Sequence, residues 1–280
     1  MEGNPMSELA IITLHLRPTH IASLPAWLGR SAQAWYLSQL QSIDPVLSQA
    51  VHDGSRLRPF TLSTLFPVPQ GDKLTLHPER PVRLRLTTLH EDVTRLTLNG
   101  LVPRWLASGI DLHGQHLRVE SVDTETESFA GLLETAAAQQ QPRRQTLAFH
   151  SPTVFSRTGG LQVPLPIPEY VFGSLIDRWT AFTPIPLADD LRAFVTENVA
   201  VVDYEGRTRS ISLERANRGQ HIGFTGRATF HAQSGEQPYL RQWHALGLFA
   251  AFSGVGKHST IGLGQVKKLA QSQQQLVEMN

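Results

Sequence analysis

Residues 10–16 alternate apolar and polar positions, which predicts a first strand. Over residues 25–41 the period changes, with Trp27, Leu28, Ala34, Trp35, Leu37 and Leu40 near helical spacing. Asp44-Pro45 interrupts that helix, and residues 46–51 form a second, short one. Residues 59–66, 73–77 and 82–89 read as strands, with Gln70-Gly71-Asp72 as a turn. Residues 91–108 are helical, broken up by Gly100 and Pro103, and residues 112–122 have strand character. The order is β-α-β-β-α-β, that of the ferredoxin-like unit.

The same order repeats further on. Residues 136–142 (AAAQQQP) read as a junction. After it come a strand over 145–155, a proline-rich turn over 164–168, and helices over 170–182 and 187–198. Residues 199–204 and 208–213 flank Glu205-Gly206-Arg207 as a hairpin. A strand over 221–232, an apolar helix over 239–252 and a strand over 263–269 complete the unit. The expected fold is α+β: two tandem ferredoxin-like (RRM-like) units, residues 1–140 and 141–280, the second carrying a C-terminal glycine-rich loop.

The 280 residues are 40% hydrophobic, enough for one large or two ordinary cores. With no cysteine there is no disulfide framework and no thiolate chemistry. No apolar run approaches a membrane span, and residues 1–8 lack the apolar core of a signal peptide, so a cytoplasmic protein is expected. The net charge of +1 conceals an asymmetry. Residues 1–140 hold 11 Lys and Arg against 14 Asp and Glu; residues 141–280 hold 14 against 10; residues 201–268 hold 9 against 4. A basic sector on a near-neutral chain is the footprint of polyanion binding.

Gly254-Val255-Gly256-Lys257-His258-Ser259-Thr260-Ile261-Gly262-Leu263-Gly264 places two Gly-x-Gly pairs around a lysine, as in a loop that holds an anion. A nucleotide P-loop is excluded by register. Aligned on Gly256-Lys257, its first glycine falls on Ala251 and its hydroxyl residue on His258. Element order also fails, because here a helix precedes the loop and a strand follows it. The plainer alternative is a tight helix-to-strand connection that needs flexible backbone.

Two ferredoxin-like units ending in Gly-hydrophobic-Gly, five residues, Gly-hydrophobic-Gly resemble the repeat-associated RNA-binding superfamily of CRISPR systems. Within it the chain is most similar to the stand-alone CRISPR repeat endoribonucleases, the Cas6 family. Three segments in the expected order add to this: His52-Asp53 through Arg58-Pro59-Phe60-Thr61-Leu62-Ser63; Ser151-Pro152-Thr153-Val154-Phe155 with Leu165-Pro166-Ile167-Pro168; and Gly223-Phe224-Thr225-Gly226.

The resemblance implies an endoribonuclease that works without metal or other cofactor. The RNA 2′-hydroxyl attacks the adjacent phosphate, leaving a 2′,3′-cyclic phosphate and a 5′-hydroxyl. Such a site needs proton transfer, suited to histidine, and a cation against developing charge. The resemblance puts His52 in the first role, as general acid or base. It gives Arg58 an electrostatic role, because arginine cannot act as a base. Arg56 competes for that place and also stands as an RNA contact. Tyr36, fifteen residues before His52, matches a tyrosine that positions the 2′-hydroxyl in some members; the alternative is a core-facing aromatic. RNA binding is expected from Arg143, Arg144, Arg157, Arg207 and Arg209, and from the loop through Gly254, Gly256, Lys257, His258, Ser259, Gly262 and Gly264. His113 and His116 sit on a predicted strand at odd spacing and make no metal set. The partners implied are CRISPR repeat RNA and mature guide RNA, with an effector complex and a homodimer as further candidates. DNA is not an expected substrate, nor a membrane an expected partner. The rival reading is an inactive RNA-binding subunit of an effector complex.

Overall fold

A computed structural model describes residues 7–53, 57–69, 71–138, 143–213 and 220–270. Its first sheet is built on β1 (Leu9–Pro18), where alternation puts Ala10, Ile12, Leu14 and Leu16 in the core. A short strand β2 (Ala22–Pro25) leads into α1 (Gly29–Ile43) and then α2 (Pro45–Asp53). Asp44 makes that break. Its amide closes α1 on the Leu40 carbonyl at 2.9 Å, and its carboxylate accepts from the Leu47 amide at 2.9 Å. Pro45 then opens α2, where its missing N–H costs nothing.

There follow β3 (Phe60–Leu62), β4 (Lys73–Leu76), which pairs with β2, and β5 (Val82–Thr88). The helical stretch after β5 is not broken by Gly100 and Pro103, contrary to the sequence pattern. It runs as α3 (Glu91–Leu96), a π-helical turn over Thr97–Leu101 that contains Gly100, and α4 (Val102–Ser108), with Pro103 in its first turn. The strand expected over 112–122 is instead a hairpin, β6 (Ile110–Leu112) and β7 (Gln115–Glu127). Its two-residue turn is His113-Gly114, both at positive φ, as the twist of a tight hairpin demands.

The sheet order is β3-β5-β1-β7-β6, antiparallel throughout, with Ala10 opposite Thr88 and Leu9 opposite Glu127. Leaving out β6, this is the 2-3-1-4 order of a ferredoxin-like unit.

The second sheet repeats that order. Its elements are α5 (Phe129–Ala138), β8 (Arg144–Thr153), the small pair β9 (Phe155–Ser156) and β10 (Gln162–Val163), α6 (Pro168–Phe182) and α7 (Leu191–Asn198). Then come β11 (Val199–Ser212), β12 (Gln220–Ala232), α8 (Gln237–Ser253) and β13 (Val266–Lys268), in the sheet order β11-β12-β8-β13. Two expectations change. Glu205-Gly206-Arg207 is not a hairpin turn, because β11 runs straight through it. Gly206 is small for the neighbouring strand: a Cβ there would lie 2.4 Å from the Phe224 ring and from the Thr225 carbonyl oxygen. Residues 129–138 form a helix that takes in the first three residues of the expected junction, the other four lying outside the described residues, and Phe129 packs edge-on to Trp179 at 4.9 Å and against Phe249 at 5.3 Å.

The chain divides into two compact units. One holds residues 1–128, 212–219 and 259–262; the other holds 129–211, 220–258 and 263–280.

Candidate functional site

His52 is the penultimate residue of α2, and its side chain lies outside the described part of the structure, as does all of Arg56. Arg58 stands two residues before β3, half-buried, and its Nη1 is buried without a hydrogen-bond partner among the described residues. Burying a guanidinium N–H unpaired is costly.

Tyr36 is a fully buried residue of α1. Its ring meets Phe60 edge-on at 5.0 Å and lies 6.5 Å from Trp105. Thr97 Oγ1 donates to the Val93 carbonyl at 2.6 Å, so the Tyr36 hydroxyl is the donor in its 2.7 Å bond to Thr97. Burial pushes the phenol pKa up, against a smaller opposing pull from the Thr97 bond. In this packing the hydroxyl faces Thr97 and not solvent. What the ring does is brace Phe60, the first residue of β3, and through it the segment that carries Arg58.

The glycine loop joins α8 to β13 as a helix-to-strand connection. Its backbone is already bonded. The Gly254 amide donates to Ala250 O, Val255 to Gly264 O, Lys257 to Val154 O, Leu263 to His258 O and Gly264 to Pro152 O. The Gly256 amide donates to Ser174 Oγ at 2.9 Å. These six amides have protein acceptors, and the Lys257 side chain is exposed. His258 has φ of +63°, rare outside glycine, and its ring sits edge-on to His221 with centroids 4.6 Å apart. Ser259 is buried at 7% exposure. Within the first unit, Trp27 Nε1 donates to Ile261 O at 2.9 Å and Gln33 Nε2 donates to Thr260 Oγ1 at 2.7 Å. Gly262 lies against the Trp27 indole and the Thr64 amide in that same unit.

The arginines are split between two ends of the second sheet. Arg207 and Arg209 lie two apart on β11 and so face one side, with Arg207 exposed. Arg144 is opposite His231, and Arg143 Nη1 donates to Gln233 O at 2.8 Å. The Arg207 carbonyl accepts from Thr225 Oγ1, six residues before His231 on β12. Six residues of strand span about 20 Å, so the two groups do not form one cluster. Arg157 is exposed in the connection between β9 and β10.

Sequence reasoning missed Ser174, Arg178 and His221, whose side chains touch Gly256 and His258. A signal for Arg178 was present: it falls seven residues after Val171 and three after Leu175, on the apolar side of the helix. His113 bonds Ser31 and His116 bonds Asp111, each at 3.0 Å, and no His/Cys/Asp/Glu group suited to a metal occurs among the described residues. Nor is any described helix long and apolar enough to cross a membrane.

Residues 147–266 match the family model described as CRISPR-associated endoribonuclease Cas6. A Thermus thermophilus Cas6 is similar both alone (26% identity, TM-score 0.69, 95% of this chain and 100% of that one) and in its product complex (28%, 0.77, 94% and 100%). Another Cas6 in a product complex is 27% identical with a TM-score of 0.71, over 94% of this chain and 99% of that one. A Cas6-related protein from Pyrococcus furiosus shares the fold at 11% identity and a TM-score of 0.57, over 95% and 99% of the two chains. No curated protein sequence matches.

Proposed function

We propose that the chain is a CRISPR RNA-processing endoribonuclease of the Cas6 family and that it cuts precursor CRISPR RNA within the repeats by transesterification without metal. The 2′-oxygen forms a bond to phosphorus as the bond from phosphorus to the 5′-oxygen breaks. The 2′-proton passes to solvent, and His52 gives its proton to the 5′-oxygen. No water is consumed, and the ends are a 2′,3′-cyclic phosphate and a 5′-hydroxyl.

The observation that carries this reading is Arg58. Six residues after His52, it holds a buried donor with no acceptor among the described residues. A phosphate gaining charge in the transition state is the acceptor that a fixed guanidinium fits. Tyr36 acts at one remove, by bracing the strand behind Arg58. Lys257 and the exposed arginines of the second unit supply contacts to the repeat backbone, which is read through phosphates and shape.

The test is incubation of the repeat RNA with the protein in EDTA, with end-group analysis of the fragments. A cyclic phosphate and a 5′-hydroxyl are expected. Tight binding with no cleavage would establish the inactive RNA-binding subunit instead. Fragments ending in 3′-hydroxyl and 5′-phosphate would overturn the mechanism.

A further inference from the structure

One helix grips both sides of a single loop residue. Ser174 and Arg178 are four apart and so share a face of α6. Ser174 Oγ takes the Gly256 amide at 2.9 Å, while Arg178 Nη2 donates to the Gly256 carbonyl at 2.6 Å. Arg178 Nη1 reaches the Ser253 carbonyl at 3.3 Å, at the last residue of α8. That helix end carries partial negative charge, which favours a cation there. The position of Gly256 is tight as well. It has φ of +76°, and a Cβ would lie 2.6 Å from Val154 O. The same Val154 carbonyl accepts from the Lys257 amide at 2.9 Å. The backbone of Lys257 is thus fixed while its side chain stays exposed.

Arg178 is 5% exposed. Burial lowers its guanidinium to about 10, opposed by the nearby Asp177 carboxylate, so it remains charged at neutral pH. An aliphatic side chain could fill this volume without the desolvation cost of a buried charge. A buried fork that holds the last carbonyl of α8 and the Gly256 carbonyl of the loop points to a task beyond packing.

We infer that Arg178, with Ser174, is a positioning residue for RNA recognition: it presets the Gly256–Lys257–His258 backbone so that Lys257 meets an RNA phosphate without an ordering cost. The inference rests on the reading that this loop contacts RNA. Preorganisation of this kind shows as affinity, because ordering entropy is otherwise charged to binding.

The experiment measures affinity for the repeat RNA, and its salt dependence, in a His52→Ala background that leaves the RNA intact. The proteins are the parent, Lys257→Ala, Arg178→Met and the double variant, each checked for folding by thermal melting. Lys257→Ala should weaken binding about threefold to tenfold and reduce the salt slope by about one. Arg178→Met should do nearly the same, and the double variant should be little worse than either, falling short of additivity by about threefold or more. Arg178→Lys, which keeps the charge and part of the grip, should be intermediate. Should Arg178→Met not fold, Ser174→Ala takes its place under the same criterion. Additive effects, or unchanged affinity in a folded Arg178→Met protein, overturn the inference while leaving the loop's RNA contact intact. No effect of Lys257→Ala removes the RNA contact itself, and the positioning role with it.

Discussion

The two units leave their last helix in the same way and then diverge. In the first, α4 ends at Ser108 and β6 begins at Ile110, with Gly109 alone between them. Gly109 has φ of 70° and donates to Trp105 O at 2.8 Å. In the second, α8 ends at Ser253, and Gly254 follows with φ of 63° and a 3.0 Å bond to Ala250 O. The cap is the same and closes the helix on a carbonyl four residues back. The first unit shows that one glycine suffices to leave a helix for a strand. The plain reading of the glycine segment, as a tight connection, therefore accounts for Gly254 but not for residues 255–265. That surplus is bonded to α6 and to residues 152–154. It is built to hold a shape, and Lys257 is what the shape presents.

The largest effect should fall outside both connections. His52→Ala should lower the cleavage rate about 10²- to 10⁴-fold, as expected for loss of a general acid, with RNA affinity within about twofold. Single-turnover rates and equilibrium binding separate the two, and changes in the loop should show the reverse pattern. Arg58→Met should come next, at about 10- to 100-fold in rate, with Arg58→Lys retaining part of the activity; equal loss in both would mean that bidentate geometry matters more than charge.

Paired glycine substitutions test the comparison directly. Gly256→Ala and Gly109→Ala both force a Cβ to 2.6 Å from a carbonyl oxygen at positive φ, so both should lower the melting temperature. Only Gly256→Ala should also weaken RNA binding, by about tenfold, or about 1.4 kcal/mol. Matching losses of affinity in the two folded proteins would erase the distinction between the connections.

The smallest effect concerns the strand that the loop feeds. Burial lowers the Lys268 ammonium to about 8 from its ordinary 10.5. Between those values the unfolded chain holds a proton that the folded one has lost, so stability should rise with pH across that window and fall again as pH drops through about 8. Lys268→Met should remove this part of the pH dependence, seen as the difference between the two proteins' melting temperatures across the same window.

Several elements were legible because their causes are local. The alternation of β1 needs only a sheet with one covered face, and the break at Asp44-Pro45 needs only hydrogen bonds within four residues. The misreadings share a different cause. Gly206 looks like a turn until Phe224 is seen across the strand pair. The stretch from residue 136 looks like a junction until α5, with its Phe129 against Trp179 and Phe249, is seen to run on to Ala138. Gly100 and Pro103 look like breakers, yet a π-helical turn and a first-turn position accommodate them. At the candidate site, helical spacing placed Tyr36 on α1 without saying which way its ring faced. Only Phe60, Thr97 and Trp105 decide that it faces inward.

By itself the sequence determined the order of elements, the repeat of the ferredoxin-like unit, the glycine segment and its mismatch with a P-loop. These follow from periodicity and from the backbone freedom of glycine, which are properties of short stretches of chain. Tertiary structure alone decided that six of the loop's amides are bonded within the protein and that Arg143 and Arg144 stand away from Arg207 and Arg209 on one sheet. It alone decided that Arg178 lies buried beneath Gly256. Those outcomes rest on contacts between residues far apart in the chain, where the cost of an unpaired buried donor or of a misplaced Cβ is fixed by what packs opposite.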